Sequence, residues 1–262
     1  MPGKEPTING KHNPTPEPGL RCVLAPNPSP MTFWGTNTYI LGQGKVVVID
    51  PGPADPQHFK NIMEALLPGE TIAAIFVTHA HADHSALSRQ LAKTTKAPVI
   101  AFGDHQAGQS EIMVKWAPLL NGSGGEGVDT GFCPDEKLGD GESVDISGVS
   151  ITGLWTPGHF GNHMCFEWQD CLFTGDLVMG WASSVVSPPD GDLRAYLHSV
   201  SKLAARTDRI YYPGHGAPIN SPQKPRQMAY RPQARPNGTD SKSSRPWPSR
   251  LSYHYSRRLS GP

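Results

Sequence analysis

The sequence has no apolar run long enough to span a bilayer, and its first thirty residues are polar and proline-rich, without the apolar core of a secretory leader. Cysteine is scarce. Cys22, Cys133, Cys165 and Cys171 lie far apart with no CxxC pair, which argues against a disulfide framework or a thiolate metal site. Reduced thiols in a cytoplasmic protein are the expectation. There is no excess of charge, with 23 basic and 23 acidic residues, so net charge points to no particular partner. There is no GxSxG, and hence no sign of a serine-nucleophile elbow. No internal repeat of fixed period is visible.

The even charge hides an asymmetry. Nine Lys and Arg and one acidic residue, Asp240, fall after residue 220, leaving 14 basic against 22 acidic residues before it. A length of 262 residues is enough for a substantial core, and 28 Gly and 27 Pro favour a loop-rich α/β protein over a helical bundle. Three parts are expected. These are a proline-rich arm over residues 1–30, a catalytic domain over 31–220, and a proline-rich basic tail over 221–262 outside the packed core. The tail is either a solvated segment or a basic surface for nucleic acid or acidic lipid. A change of reading frame near Ser221–Met228 is one origin for it, which the encoding DNA would test.

The chain turns on Thr78-His79-Ala80-His81-Ala82-Asp83-His84, which follows the strand-like run Ile72–Val77. Imidazole and carboxylate suit a catalytic zinc or a similar ion. A helix would spread these four groups round its cylinder, so a loop at a strand end is expected to hold them.

Before this motif, Thr38–Leu41 and Val46–Ile49 read as a hairpin, and Leu20–Leu24 as an edge strand. Asp50 ends the second hairpin strand, either capping a turn or fixing a ligand histidine from behind. Pro56–Leu67 and Ala86–Ala92 read as helices and Pro98–Phe102 as a strand. Residues 103–141 form an irregular insertion, a lid or a plain surface loop. Within it Glu111–Leu120 has helical character, and Asn121–Gly127 is expected to be mobile.

In the second half, Val149–Trp155, Met164–Trp168, Cys171–Thr174 and Arg209–Tyr212 read as strands. Leu193–Leu203 reads as a helix burying Leu193, Leu197, Val200 and Leu203. His159, Asp176 and His215 each follow a strand and sit beside glycine, which lets backbone turn sharply and approach closely.

THAHADH, TPGH, FTGD and YPGHG, in this order, resemble the metal-binding motifs of the metallo-β-lactamase superfamily over roughly residues 30–220. Gly35-Thr36-Asn37-Thr38-Tyr39 resembles the GTNTY of its lactamase-beta-2-like branch. The resemblance implies an αββα sandwich of two mixed sheets flanked by helices. It also implies a dinuclear site, usually zinc, with Mn, Fe or Co as alternatives. His79, His81 and His159 would hold one ion, Asp83, His84 and His215 the other, and Asp176 would bridge them. His163 would stand behind the ligands or be structural. Phe160 departs from the usual threonine of the GHTxxH motif.

A bridging carboxylate is generally missing from enzymes dedicated to β-lactams. Glyoxalase-II-like thioesterases, lactonases and the family's ribonucleases have it. The expected activity is therefore hydrolysis of an ester, thioester or lactone by a bridging hydroxide, with Asp83 orienting it. The substrate would be a small molecule, with Trp34, Trp116 and Trp181 as candidate walls. The alternatives are a single-strand endoribonuclease, for which the acidic body is a poor match, and a promiscuous β-lactamase.

Overall fold

A computed structural model describes residues 17–119 and 127–222, with the backbone of residues 13–14. The expectations for the basic tail, for the glycine-rich stretch 121–126 and for most of residues 1–16 lie outside the described residues.

The elements run in this order: β1 Asn13–Pro14, β2 Leu20–Leu24, β3 Asn37–Leu41, β4 Lys45–Ile49, α1 Pro56–Glu64, β5 Thr71–Phe76, α2 Ala82–Ser85, α3 Ser88–Thr95 and β6 Val99–Ala101. There follow α4 Glu111–Trp116, β7 Glu136–Lys137, β8 Ser143–Ile146, β9 Val149–Trp155, β10 Met164–Trp168, β11 Cys171–Gly175, α5 Leu193–Ala204, β12 Ile210–Pro213 and β13 Ile219–Asn220. One sheet orders its strands β1 to β7 and the other β13-β12-β11-β10-β9-β8. Both are mixed: β4, β5, β6 and β7 pair in parallel and so do β11 and β12, while the remaining neighbours are antiparallel.

Strand alternation builds the layers. Tyr39, Leu41, Val47, Ile49 and Phe76 of the first sheet face Ile151, Phe166, Phe173 and Tyr212 of the second. The aromatic members interlock: Phe76 meets Phe166 edge-on at 5.2 Å and Phe173 stacks on Tyr212 at 5.4 Å. Each such buried ring contributes roughly 1.5–3 kcal/mol by leaving water. The intervening residues Ile40, Val46, Val48 and Ile75 pack outward on Ile62 of α1 and Leu91 of α3. Leu172 and Tyr211 pack outward on Leu203 of α5. The result is helix, sheet, sheet, helix, the αββα sandwich expected from the sequence.

Several expectations change. Leu20–Leu24 is second in its sheet, with β1 outside it. α1 stops at Glu64, capped at its start by Asp55, whose carboxylate accepts the His58 backbone N–H at 2.7 Å. α5 buries Leu203 and packs Val200 on the core as expected, but leaves Leu193 and Leu197 exposed and buries Ser199. Ser199 is tolerated there because its hydroxyl donates to the Pro157 carbonyl at 2.7 Å. α4 is exposed at Ile112, Val114 and Trp116, so it is not the amphipathic packing helix its pattern implies. No helix among the described residues is long and apolar enough to cross a membrane.

One polar residue on α1 is fully buried. His58 contacts Thr38, and burial lowers its pKa from 6.5 to about 4. Below pH 6.5 the unfolded chain takes up a proton that the folded chain refuses until about pH 4. Stability is therefore lost as pH falls through this window, by roughly 3 kcal/mol for the whole shift. In metal-free protein, the urea midpoint should fall between pH 6.5 and 4 more steeply for the parent chain than for His58→Gln. Parallel pH profiles would contradict this.

Candidate metal centre

The cleft lies where the ends of strands from both sheets meet. β5 runs into Thr78 and His79. His81 follows in extended backbone and caps the start of α2, a single turn that carries Asp83 and His84. The four groups of the THAHADH motif are thus divided between an extended segment and a helical turn, not held by a loop alone. At that turn, Asp83 and His84 are adjacent on the helix and reach the second group of donors.

The second sheet supplies the rest. His159 follows β9, Asp176 follows β11 and His215 follows β12. Two of the flanking glycines are required by space. A Cβ on Gly214 would lie 2.6 Å from Asp176 Oδ1 and from His84 Cε1, and one on Gly175, where φ is +47°, would lie 2.7 Å from His163 Nε2.

All seven expected donors converge. His81 Nδ1 lies 2.8 Å from His79 Nε2 and 3.0 Å from His159 Nε2. In the neighbouring group, His84 Nε2 lies 3.3 Å from His215 Nε2 and 3.4 Å from Asp83 Oδ2. Asp176 stands between the groups. Its Oδ2 is 3.3 Å from His215 Nε2 and 3.6 Å from His159 Nε2, and its Oδ1 is 3.4 Å from His84 Nε2.

The far side of each ring fixes its tautomer. Thr78 Oγ1 donates to Asp50 Oδ2 at 2.8 Å, so it accepts from His79 Nδ1 at 3.0 Å. His84 Nδ1 donates to Asp50 Oδ2 at 2.9 Å, His159 Nδ1 to the Val185 carbonyl at 2.6 Å, and His215 Nδ1 to the Gly35 carbonyl at 3.2 Å. In these four rings Nε2 therefore faces the cleft. Asp50 and His163 both lie behind the donors. Asp50 also accepts the Thr78 backbone N–H at 2.8 Å. His163 Nε2 accepts the Asp176 backbone N–H at 3.2 Å while its Nδ1 donates to Thr156 Oγ1 at 3.0 Å.

The arrangement suits a divalent cation. Without a hydrogen on His81 Nδ1, three imidazole lone pairs at such spacing repel one another unless positive charge lies among them. Protons are a poor source of it: burial, reinforced by neighbouring histidines, holds His79 well below its usual pKa and His81 at about 3, and burial also lowers His159. Asp176 Oδ1 is buried with no hydrogen-bond donor, an acceptor that a cation would satisfy. The second group adds a carboxylate to its two imidazoles. Burial disfavours charge on Asp83, yet His84 and His215 hold its pKa at about 2. Burial also opposes charge on His215, but Asp176 and Asp83 lift it to about 9. Its protons and a metal ion would compete for the same place.

The sequence reading missed the residues that join the two sheets here. Asn37 Nδ2 donates to the carbonyls of Pro213 and Gly216 at 3.0 and 2.9 Å, and Tyr39 donates to Pro213 at 2.7 Å. Thr36 donates to Asp83 Oδ2 at 3.3 Å. These belong to the GTNTY stretch, whose likeness was visible but whose contacts lie across the fold. Asp129, from the insertion, accepts from Ser85 at 2.9 Å and braces α2. Of the three candidate tryptophans, Trp181 donates to the His215 carbonyl at 3.2 Å, Phe33 stacks on it at 4.8 Å, and Trp34 meets Phe33 at a tilt, with ring centroids 4.5 Å apart. Trp116 is half-exposed on α4 and does not line the cleft. The cleft wall is Met31, Thr32, Met179 and Val185 beside the donors.

The sequence profile of the metallo-beta-lactamase superfamily matches residues 31–215. The atrochrysone carboxyl ACP thioesterase of Aspergillus chevalieri is 32% identical over 221 residues, which is 82% of this chain and 62% of that protein. The lactamase-like protein aptB of Emericella nidulans is 30% identical over 221 residues, 78% of this chain and 59% of that protein. The chain thus spans about three fifths of the length of these curated relatives. The metallo-beta-lactamase family protein TTHA1429 from Thermus thermophilus has the same fold, with a TM-score of 0.64 at 24% identity over 81% of this chain and 77% of that one. The family match begins in the cleft wall at residue 31 and ends on His215, so it contains every converging donor, and on it the chain belongs to the metallo-beta-lactamase superfamily.

Proposed function

We propose that this chain is a dinuclear metal-dependent hydrolase whose preferred substrates are thioesters, with activated esters accepted on the same ground and alkyl esters and lactones as weaker ones. His79, His81 and His159 would hold one ion, Asp83, His84 and His215 the other, with Asp176 shared. Imidazole and carboxylate donors suit zinc and accommodate Mn, Fe or Co. Bound there, divalent ions supply Lewis acidity toward water and toward the scissile carbonyl.

The observation that favours a thioester is what the cleft does not offer. Beyond the metal-donor residues, its described wall is Met31, Thr32, Met179 and Val185, with no Lys, Tyr, Glu or further His to protonate a departing group. A thiol has a pKa near about 8.5, so a thiolate departs without a proton, whereas an alkoxide is far more basic. Asp83, with a pKa of about 2, is a carboxylate at neutral pH. It orients the attacking water by accepting its hydrogen bond and is too acidic to store the proton. Thr36 holds that carboxylate in place. His163 and Asp50 keep Asp176 and His84 aimed inward. The relative named as an ACP thioesterase supports the same class, and an acyl group delivered on a carrier fits it.

The test is a matched substrate panel on metal-loaded protein. It comprises an acyl N-acetylcysteamine thioester, the corresponding alkyl ester, a nitrophenyl ester, a lactone, nitrocefin and single-stranded RNA. The thioester should exceed the alkyl ester by about tenfold or more in kcat/KM, a barrier difference of at least about 1.4 kcal/mol. His159→Ala and Asp83→Ala should abolish its turnover. RNA cleavage that both variants lose, with no thioester or ester turnover, would overturn the reading.

A further inference from the structure

Among the described residues, His58 is the buried histidine that belongs to neither donor group and touches no donor. We propose that His58 and Thr38 are a positioning pair that fixes the backbone of Asp50 and, through it, the His84 imidazole. The metal-binding part of this inference rests on the metal-dependent reading above.

Asp50 is a non-glycine residue in the left-handed region, with φ of +50°. That conformation aims its carboxylate at three donors: the Thr78 backbone N–H at 2.8 Å, Thr78 Oγ1 at 2.8 Å and His84 Nδ1 at 2.9 Å. A residue in this region persists only where its surroundings over-determine it. The backbone of Asp50 has two ties. Its N–H donates to the Phe76 carbonyl at 2.9 Å, and its carbonyl accepts from Thr38 Oγ1 at 2.6 Å.

Thr38 has one hydroxyl proton, and the Asp50 carbonyl can only accept. The 2.8 Å contact between Thr38 Oγ1 and His58 Nε2 is therefore donated by the imidazole. This fixes His58 as the neutral Nε2–H tautomer. Its buried Nδ1 has no hydrogen-bond partner, so a second proton there would be an orphaned donor. The low pKa of His58 agrees with that. Histidine at this position thus acts as a one-proton donor that keeps the Thr38 hydroxyl turned toward Asp50.

The ring has a second contact. A Cβ on Gly52 would lie 2.8 Å from both Cδ2 and Nε2 of His58, so the ring lies directly against the turn after β4. The Gly52 backbone N–H donates to the His84 carbonyl at 3.0 Å. The backbone and the ring of His84 therefore both rest on the Asp50–Gly52 turn, and the turn rests on the Thr38–His58 pair.

Two readouts separate this role from general stability. In metal-free 15N-labelled protein, the His84 Nδ1–H resonance should be protected from exchange. Thr38→Val and His58→Phe should speed its exchange about tenfold or more, while Thr38→Ser, which keeps the hydroxyl, should resemble the parent. In zinc titrations, Thr38→Val should weaken one of two equivalents by about 10–100-fold and the other, reached only through Thr78 and His79, distinctly less. Thr38→Ser should restore both. Unchanged His84 exchange in Thr38→Val and His58→Phe overturns the proposal, as does equal weakening of both zinc equivalents. A parent protein that binds no zinc refutes the metal reading, and the exchange measurement then decides the positioning role alone. If Thr38→Val does not fold, His58→Phe against His58→Gln, which keeps a donor, makes the same comparison.

Discussion

Asp176→Asn should lower kcat/KM for the best substrate by about a thousandfold, a loss of roughly 4 kcal/mol in transition-state stabilisation. The substitution changes almost no volume, so packing does not explain such a loss. What changes is charge and valence. Asp176 approaches His159 of one donor group and His84 and His215 of the other, and its Oδ1 has no hydrogen-bond donor. An amide there carries no charge and offers one oxygen in place of two. If its nitrogen faces His84, an N–H group points at the position proposed for a cation. The backbone N–H of residue 176 still has His163 to receive it, so the loop should keep its course. The measurement pairs steady-state kinetics with metal content and a thermal melt. A variant whose metal-free form melts like the metal-free parent, yet which holds fewer than two metal equivalents, supports the shared-carboxylate assignment. Full activity in the variant rejects it.

Exhaustive chelation should reduce hydrolysis to background and lower thermal stability, and both should return on adding zinc. A ligand that binds only the folded state stabilises it by about 2.7 kcal/mol when present at roughly a hundred times its dissociation constant. Two such sites would contribute roughly twice that. The metal-free cleft has its own compensation, because Asp83, Asp176 and Asp50 lift the pKa of His84 well above its usual value despite burial, and His215 rises to about 9. Protons held there supply part of the missing positive charge, and binding of zinc at neutral pH should release them. Calorimetry in two buffers of different ionisation enthalpy measures that release. Activity that survives chelation, with no metal left by elemental analysis, would overturn the metal-dependent assignment.

The donors were legible because each kind of signal was local. His79 to His84 are a dense cluster after a strand, and His159, Asp176 and His215 each sit beside glycine at a strand end. The sandwich was legible from the family resemblance of the motifs, and a sheet covered by helices from the β, α, β, α, β order of the first half; alternate residues of Tyr39–Leu41, Val46–Ile49 and Met164–Trp168 face opposite layers. What was not legible depends on distant partners. α2 is four residues long, too short for a period to show. Ser199 is buried in preference to Leu197 because of a carbonyl supplied by Pro157. β8 is a half-exposed strand whose pattern is weak. His58 reads as an ordinary polar position on α1, and only its place beneath Thr38 makes it significant. Asn37 stands out only as part of the GTNTY likeness until Pro213 and Gly216 come beside it.

The tie between the GTNTY stretch and the last ligand loop has a kinetic side. Asn37 and Gly216 are 179 positions apart, and His84 and His215 are 131 apart. Contacts this remote in sequence close late, because the chain must give up the entropy of a very large loop before they reward it. The first donor group is also split, with His81 and His159 separated by 78 positions. Neither group can therefore exist in a half-folded chain, and early intermediates should have little affinity for zinc beyond that of loose histidine pairs. Refolding followed by a zinc-sensitive dye should show metal uptake trailing the burial of the aromatic core, so that acquisition of the ions reports the final docking of one sheet on the other.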